Sequence, residues 1–319
     1  MELAIIVVNY RTADLTIGCL AALLDDPTLP TDTHIMVVDG ASGDGSVPAL
    51  AAKIETLGWQ ERVSLLPLAI NGGFAYGNNR GIDAIGSTFG KTEFYLLLNP
   101  DTVTRPSAVA RLLEFLKTDP AIGIAGGRLE DPDGTPQACA FRFLSVASEF
   151  ESEIKTGVVS KVLNRWRVAP PDLPEKPSRV DWVSGACMLV RRDVFEAVGL
   201  MDEEYFLYYE ELDFCLRAAR AGWQCWHVPQ SRVIHLVGQS TGVTERDVKK
   251  ARRPRYWFES RKRYFIKNHG RHYAFMANLA WIAGYIGWRV RQILTGRKNE
   301  EPPQLLRDFL RYNFFSGRP

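Results

Sequence analysis

Runs of consecutive apolar residues, rather than alternation, mark the first third of the chain. Leu3 to Val8, His34 to Val38, Val63 to Leu68 and Phe94 to Leu98 each read as a short strand buried on both faces, with Ile122 to Ala125 as a further one. The stretches between them have helical spacing: Leu15 to Leu24, an apolar-periodic stretch ending at Leu57, and a segment from Pro106, taken as a first-turn proline, to about Lys117. Buried strands separated by helices predict an α/β fold, a mostly parallel central sheet with helices on both faces. After the turn signal Asp131-Pro132-Asp133-Gly134 the pattern weakens, and Pro170, Pro171, Pro174 and Pro177 mark an extended loop. A second organised block follows. It comprises a strand-like run from Val180 to Val190, a short helix from Asp193, a helix from about Tyr209 to Ala221, and closing strands at Trp223 to Val228 and Arg232 to His235. From about Arg246 the chain reads as a helical extension. The expected division is a body over 1–245, in halves 1–130 and 131–245, and a tail over 246–319.

Composition changes this picture in one respect. With 319 residues, 46% of them apolar, the chain can bury a substantial core. Its five cysteines form no CxxC pair and most have apolar neighbours, which predicts reduced core thiols in a cytoplasmic protein. Met1 leads straight into a strand without a basic n-region, so no signal peptide is expected. The net charge of +2, however, hides an asymmetry: Arg246 to Lys298 holds 15 Lys or Arg against Asp247 and Glu259, an excess of +13 that leaves −11 elsewhere. An acidic body with a basic, aromatic tail points to two different partners.

Candidate chemistry collects where strands end. Phe94 to Leu98 stops at Asn99-Pro100-Asp101, because proline cannot donate to a ladder, and Asp101 is left at the carboxyl edge where open α/β sheets bind ligands. The strand ends Val8-Asn9-Tyr10 and Val38-Asp39-Gly40 are expected on the same edge. Asp39 is suited to accept from a nucleobase N–H or a ribose hydroxyl and Tyr10 to stack. Shaping the turn is the other reading of Asp39 and the assigned one for Asp44. Asn71-Gly72-Gly73-Phe74 through Asn79-Arg80-Gly81 is a glycine-rich stretch that lets backbone approach an anion, though it is neither GxxxxGK[ST] nor GxGxxG. A carboxylate beside a nucleotide crevice suggests a divalent cation on a diphosphate. Asp101 either serves that role, with phosphates and further ligands completing the shell, or caps a helix. His235 is a core histidine or a second ligand. In Glu210-Glu211-Leu212-Asp213, Asp213 pairs with Arg217 at i,i+4, whereas Glu210 and Glu211 lie beneath two tyrosines, where apolar surroundings suit a carboxylate to act as a general base. Spacing does not choose between the two.

Together these segments resemble the family 2 inverting glycosyltransferases of the GT-A type, in particular a bacterial rhamnosyltransferase-like branch. The likeness covers about residues 3–242. It is carried by Val7-Val8-Asn9-Tyr10, Val37-Val38-Asp39, Asn71-Gly72-Gly73-Phe74 through Asn79, Leu98-Asn99-Pro100-Asp101, Trp182-Val183-Ser184-Gly185-Ala186 through Arg191, Gly199 through Tyr209, Glu210-Glu211-Leu212-Asp213, and His235 through Thr241. The resemblance implies a GT-A fold whose first half binds a nucleotide sugar and whose second faces the acceptor. It implies Val8, Asn9, Tyr10, Asp39, Asn71, Gly72, Gly73, Asn79 and Asn99 around the donor, and Asp101 with His235 on Mg²⁺ or Mn²⁺. Glu211 is implied as the base, with Glu210 in reserve. Two positions depart from the family: Asn99 stands first in its DxD motif, and Glu211 replaces an aspartate, so a single carboxylate is expected on the metal. The implied function is transfer of a sugar, with inversion, from a nucleoside-diphosphate donor (dTDP-rhamnose first) to a hydroxyl of a glycan or lipid-linked acceptor, in cell-surface polysaccharide biosynthesis. A non-catalytic sugar-nucleotide binding protein docked at a membrane is the alternative.

The tail has its own pattern. Ala274 to Trp288 is apolar except for Asn278, too short to span a bilayer, which takes roughly 20 residues. Phe275, Leu279, Ile282, Ile286, Val290 and Ile293 share one helical face beside tryptophans and arginines. Residues 255–298 thus suit the anionic inner face of the cytoplasmic membrane, or else pack on the body or in a homodimer. No nucleic-acid motif accompanies them, and no nucleic-acid partner is expected.

Overall fold

The structure, a computed structural model, describes residues 1–236, 251–298 and 301–315. The first half alternates β1 (Leu3–Asn9), α1 (Ala13–Leu24), β2 (Thr33–Asp39), α2 (Ser46–Thr56), β3 (Val63–Pro67), α3 (Gly73–Phe89), β4 (Phe94–Leu98), β5 (Thr102–Thr104), α4 (Ala108–Lys117) and β6 (Ile122–Glu130). The second contains β7 (Ala140–Phe141), α5 (Val146–Ile154), α6 (Gly157–Val162), β8 (Ser178–Val180), β9 (Trp182–Val183), β10 (Cys187–Arg191), α7 (Arg192–Val198), α8 (Glu210–Arg220) and β11 (Gln224–His235). Helices α9 (Arg255–His269), α10 (Arg271–Thr295) and α11 (Leu305–Leu310) follow.

The main sheet runs β3-β2-β1-β4-β10-β6-β11-β5, with β8 pairing on β11. Strands β1 to β4, β6 and β11 point one way, and β5, β8 and β10 run against them. Alternation along β1 splits the core in two. Leu3, Ile5 and Val7 pack with Leu20 and Leu23 of α1 and Leu112 and Leu116 of α4, whereas Ala4 and Ile6 face Ile82 and Ile85 of α3 and Phe214 of α8. Both faces are covered, as the continuous apolar strands require.

Three local expectations change. The run from Val180 to Val190 is not one strand: it breaks at Ser184-Gly185-Ala186, so β9 pairs with β7 while β10 enters the main sheet between β4 and β6. Conversely, the two closing strands are a single β11, whose pairing with β6 shifts register between Val228 and Arg232, around Pro229. Pro106 lies two residues before α4 rather than in its first turn. The Asp131–Gly134 turn closes as expected, with the Gly134 N–H donating to the Asp131 carbonyl at 2.8 Å. All five cysteines are buried free thiols.

The boundary expected at 245/246 and the Gly238-Gln239-Ser240-Thr241 turn lie outside the described residues. Beyond them, α9 and α10 share a core with the body: Tyr264, Phe265, Ala274 and Ala277 pack on Tyr205, Leu212 and Leu216. Arg261 of α9 is fully buried. Its guanidinium reaches Glu149 of α5 (3.0 Å from Nε), Asn278 of α10 (2.6 Å) and Asn313 (3.1 Å), and lies over the Phe265 and Phe309 rings. No helix among the described residues is long and apolar enough to cross a membrane.

Burial pushes the Glu149 carboxyl up while the Arg261 charge draws it down, so the pair is held only as a pair. Arg261→Ala, leaving Glu149 buried alone, is expected to cost about 3–5 kcal/mol in urea unfolding near neutral pH. The loss should shrink as pH falls toward the ordinary carboxylate value of 4.5, where the orphaned acid takes up a proton.

Candidate active site

The parallel strands β1, β2 and β4 end side by side, and a cavity of about 290 Å³ opens at that edge. Val8, Tyr10, Gly40, Asn71, Gly73 and Asn99 line it from the first half of the chain, with Phe74 and Pro100. Phe206 and Leu207 come from the segment before α8, and Tyr256 from the start of α9.

Asn9 and Asp39 stand behind this wall, both buried. The Asn9 amide donates to Asp39 Oδ2 at 2.7 Å, and the Ser42 hydroxyl donates to the same oxygen at 2.6 Å. Asp39 Oδ1 accepts from the Ser42 N–H at 3.0 Å, and Asn9 Oδ1 from the Thr12 and Thr16 hydroxyls. These residues therefore fix the β1 and β2 ends from below. Asp44 accepts from Ser46, the turn role expected of it.

Asn79, expected around the donor, lies elsewhere. Its buried amide donates to the Met201 carbonyl (2.8 Å) and to Glu203 (2.9 Å), and its oxygen accepts from the Met201 N–H (3.1 Å). It fastens α3 to the segment after α7. The glycine-rich stretch is also shorter than its sequence suggests, because α3 begins at Gly73.

Gly73 is where the two halves of the site meet. The Phe74 N–H donates to the Phe206 carbonyl at 3.0 Å, and a Cβ on Gly73 would lie 1.8 Å from that oxygen. Its φ of +88° also belongs to the region L-residues avoid. The Phe206 segment then enters α8 through Tyr208 (φ +68°) and Tyr209 (φ +73°), two successive left-handed residues that set Glu210 and Glu211 at the first turn.

Glu210 is buried, and Glu211 is partly exposed with its Oε2 out of solvent. Among the described residues neither Oε2 has a hydrogen-bond partner. Burial, and then the neighbouring Glu211 charge, pushes Glu210 well above the ordinary carboxylate range. Burial raises Glu211 too, opposed by N–H groups of its own helix start and of Gly185. Gly185 sits between the Phe74 ring (3.1 Å from a Cβ built there) and the Glu211 Cβ (3.7 Å), which places Glu211 beside the cavity wall. Asp213 pairs with Arg217 at 3.0 Å as its spacing requires, and also accepts from Lys267 and Asn268 of α9.

Asp101 and His235, far apart in sequence, come together because the chain reverses after Pro100 and β5 pairs antiparallel with β11, Thr102 opposite His235. Asp101 Oδ1 lies 3.5 Å from His235 Nε2. The Gln137 amide donates to the His235 carbonyl and to Asp131, both at 2.8 Å, so its oxygen faces His235 Nδ1 at 3.2 Å. Nδ1 therefore donates to the Gln137 oxygen, which leaves Nε2 facing the Asp101 carboxylate. A carboxylate oxygen and an imidazole nitrogen this close are a donor set that fits a shared divalent cation, with the Gln137 oxygen orienting the ring through Nδ1. Among the described residues no third His, Cys, Asp or Glu joins them, so substrate oxygens and water would complete a shell.

The glycosyltransferase-like family 2 model matches residues 2–265, most of the chain and into α9. The chain belongs to that glycosyltransferase family. This glycosyltransferase is 31% identical over 221 residues to the N-acetylglucosaminyl-diphospho-decaprenol L-rhamnosyltransferase of Mycobacterium tuberculosis, covering 65% of this chain and 68% of that protein. It is 26% identical to rhamnosyltransferase WbbL of Escherichia coli, over 51% of this chain and 60% of WbbL. Among solved structures, the Pyrobaculum calidifontis mannosyltransferase PcManGT, in complex with GDP-Man and Mn²⁺, aligns with a TM-score of 0.57 over 93% of this chain and 76% of that one, at 16% identity. Staphylococcus aureus TarS with UDP-GlcNAc aligns at 0.55 over 98% and 81%, at 14% identity. These neighbours share the GT-A fold, and the expected fold class stands. Sequence reasoning missed Gly40, Phe74, Pro100, Phe206, Leu207 and Tyr256 as cavity residues. The first five lay within quoted motifs, whereas Tyr256 lay in the tail read as a separate surface.

Gly73→Ala should destabilise the protein by about 2 kcal/mol or more in denaturant unfolding, through both φ strain and collision with Phe206. Gly43→Ala, also at positive φ (+66°) but facing open space, should cost less. A second outcome concerns pH. Because Glu210 is raised in the folded state, its ionisation weakens the fold as pH climbs from the unfolded value near 4.5 toward the folded one. The Tm of Glu210→Gln relative to the native chain should therefore rise between about pH 4 and pH 8.

Proposed function

We propose that this glycosyltransferase transfers a sugar, with inversion at the anomeric carbon, from a nucleoside-diphosphate donor to a hydroxyl of a lipid-linked or glycan acceptor. The M. tuberculosis relative, named for an L-rhamnosyl transfer to a diphospho-decaprenol lipid, makes dTDP-rhamnose the first donor to test. The observation that carries the reading is the carboxylate pair at the mouth of α8, whose burial raises its proton affinity and whose Oε2 atoms have no hydrogen-bond partner among the described residues, beside a cavity at the sheet edge.

In this reading Val8, Tyr10, Asn71, Gly72, Gly73 and Asn99 contact the donor, while Asn9 and Asp39 hold the strand ends that shape its pocket. Tyr10, more than a third exposed, presents a stacking face. Glu211 takes the proton of the acceptor hydroxyl as that oxygen attacks the anomeric carbon. The bond from that carbon to the diphosphate oxygen breaks, its electron pair leaving on the nucleoside diphosphate. One displacement gives inversion, and one base suffices because the nucleoside diphosphate leaves as an anion, where a glycosidase uses two carboxylates. Asp101 and His235 would hold Mn²⁺ or Mg²⁺, which when bound supplies positive charge to the diphosphate. Glu210, deeper and raised further by the Glu211 charge, is the member of the pair that holds a proton more tightly. Five buried, reduced thiols fit a cytoplasmic site for the reaction.

The test is a thermal-shift panel of nucleoside diphosphates, with and without Mn²⁺, on the native chain, Asp101→Asn and Glu211→Gln. One nucleotide should raise Tm only with Mn²⁺, the shift should vanish in Asp101→Asn, and it should survive in Glu211→Gln. Donor turnover in Glu211→Gln should fall on the order of a hundredfold to ten-thousandfold. No nucleotide response in the native chain would remove the donor reading, and full turnover in Glu211→Gln would move the base to Glu210.

A further inference from the structure

We propose that the outward face of α10 is a docking surface for an anionic lipid bilayer. The helix runs 25 residues, about 37 Å at 1.5 Å per residue. One side packs on α9 through Ala274, Ala277 and Asn278, on α11 through Trp281, and on α5 through Gly284. The other leaves Phe275 (53% exposed), Leu279 (48%), Ile286 (50%), Val290 (50%), Ile293 (76%) and Leu294 (80%) in solvent. At 100° per residue these form a stripe roughly 100° wide along the whole helix. Scattered exposed apolar residues need no explanation, but a continuous lengthwise stripe does.

The charges name the occupant. No Asp or Glu occurs between Arg271 and Thr295, whereas Arg271, Arg289 and Arg291 border the stripe and the exposed Arg297 and Lys298 close its end. A second copy meeting the first through the same face would offer only the same apolar stripe with the same cations, and no acid from that helix to pair with them. A bilayer of anionic lipid offers hydrocarbon to the stripe and phosphate to its rim, the arrangement of a helix lying in the interface. The helix is not long and apolar enough to cross a membrane. The surface is argued from α10 alone. Only its use, bringing the cavity to a lipid-linked acceptor, rests on the function proposed above.

Co-sedimentation of the full chain with vesicles tests it directly, with no turnover involved. The native chain should bind vesicles of equal parts phosphatidylcholine and phosphatidylglycerol at least tenfold more strongly than phosphatidylcholine alone, and lose binding as salt is raised. The double variant Leu279→Glu, Ile286→Glu, altered at half-exposed positions only, should bind the anionic vesicles at least tenfold more weakly while keeping the native thermal response to nucleoside diphosphate and Mn²⁺. Arg297→Glu with Lys298→Glu should weaken binding without touching the apolar stripe. A native chain that stays in the supernatant with both vesicle types would overturn the proposal. So would a double variant that binds like the native chain. Self-association of the native chain, abolished in the double variant and unaccompanied by vesicle binding, would make the face an interface between copies instead.

Discussion

Proline has no N–H to give to a sheet, and the placement of Asp101 depends on that. Strand β4 is apolar enough to continue through the core, but at Pro100 it cannot, so the chain reverses and returns as β5 along the far strand β11. The reversal carries the carboxylate from the middle of the sheet to its edge and sets it beside the one histidine that β11 ends on. A site assembled from residues more than a hundred positions apart thus follows from a local rule about ladders. The remaining pieces are fastened to the same edge: Asn9, Asp39 and Ser42 tie the β1 and β2 ends together, and the Phe74 to Phe206 hydrogen bond pins the α8 entry against α3.

What the sequence disclosed and what it concealed have physical causes. Strands β1, β2 and β4 were legible because strands buried on both faces are apolar throughout, and few other segments of that length are. The same continuity hid the break at Ser184-Gly185-Ala186, where one strand ends and the next leaves for a different sheet. Pro229 had the opposite effect, suggesting two strands where a bulge lets one continue. Asn79 could not be told from a ligand contact, since an asparagine in a glycine-rich stretch looks the same whether it meets a ligand or the Met201 backbone. Tyr256 was invisible as a cavity residue because its neighbours are cations and aromatics suited to a surface.

The tail changes meaning most. Read as a basic appendage, it is in the fold a structural partner of the body: Arg261 reaches into a buried polar centre with α5 and α10, and Lys267 and Asn268 hold Asp213 on the helix that bears Glu210 and Glu211. Much of the positive charge that made the tail look like a binding surface is neutralised internally. The face of α10 that remains is apolar with a cationic border, a narrower and more specific surface than the charge excess alone suggested.

Tyr208 and Tyr209 carry one last consequence. Two adjacent non-glycine residues in the left-handed region hold on the order of 1–3 kcal/mol of conformational energy each. That energy sits between the Phe206 contact and the carboxylate pair, in the two residues that lead into α8. The Phe206 side of the cavity is therefore held against its own backbone preference, and the Phe74 N–H to Phe206 carbonyl bond beside Gly73 is the contact that holds it.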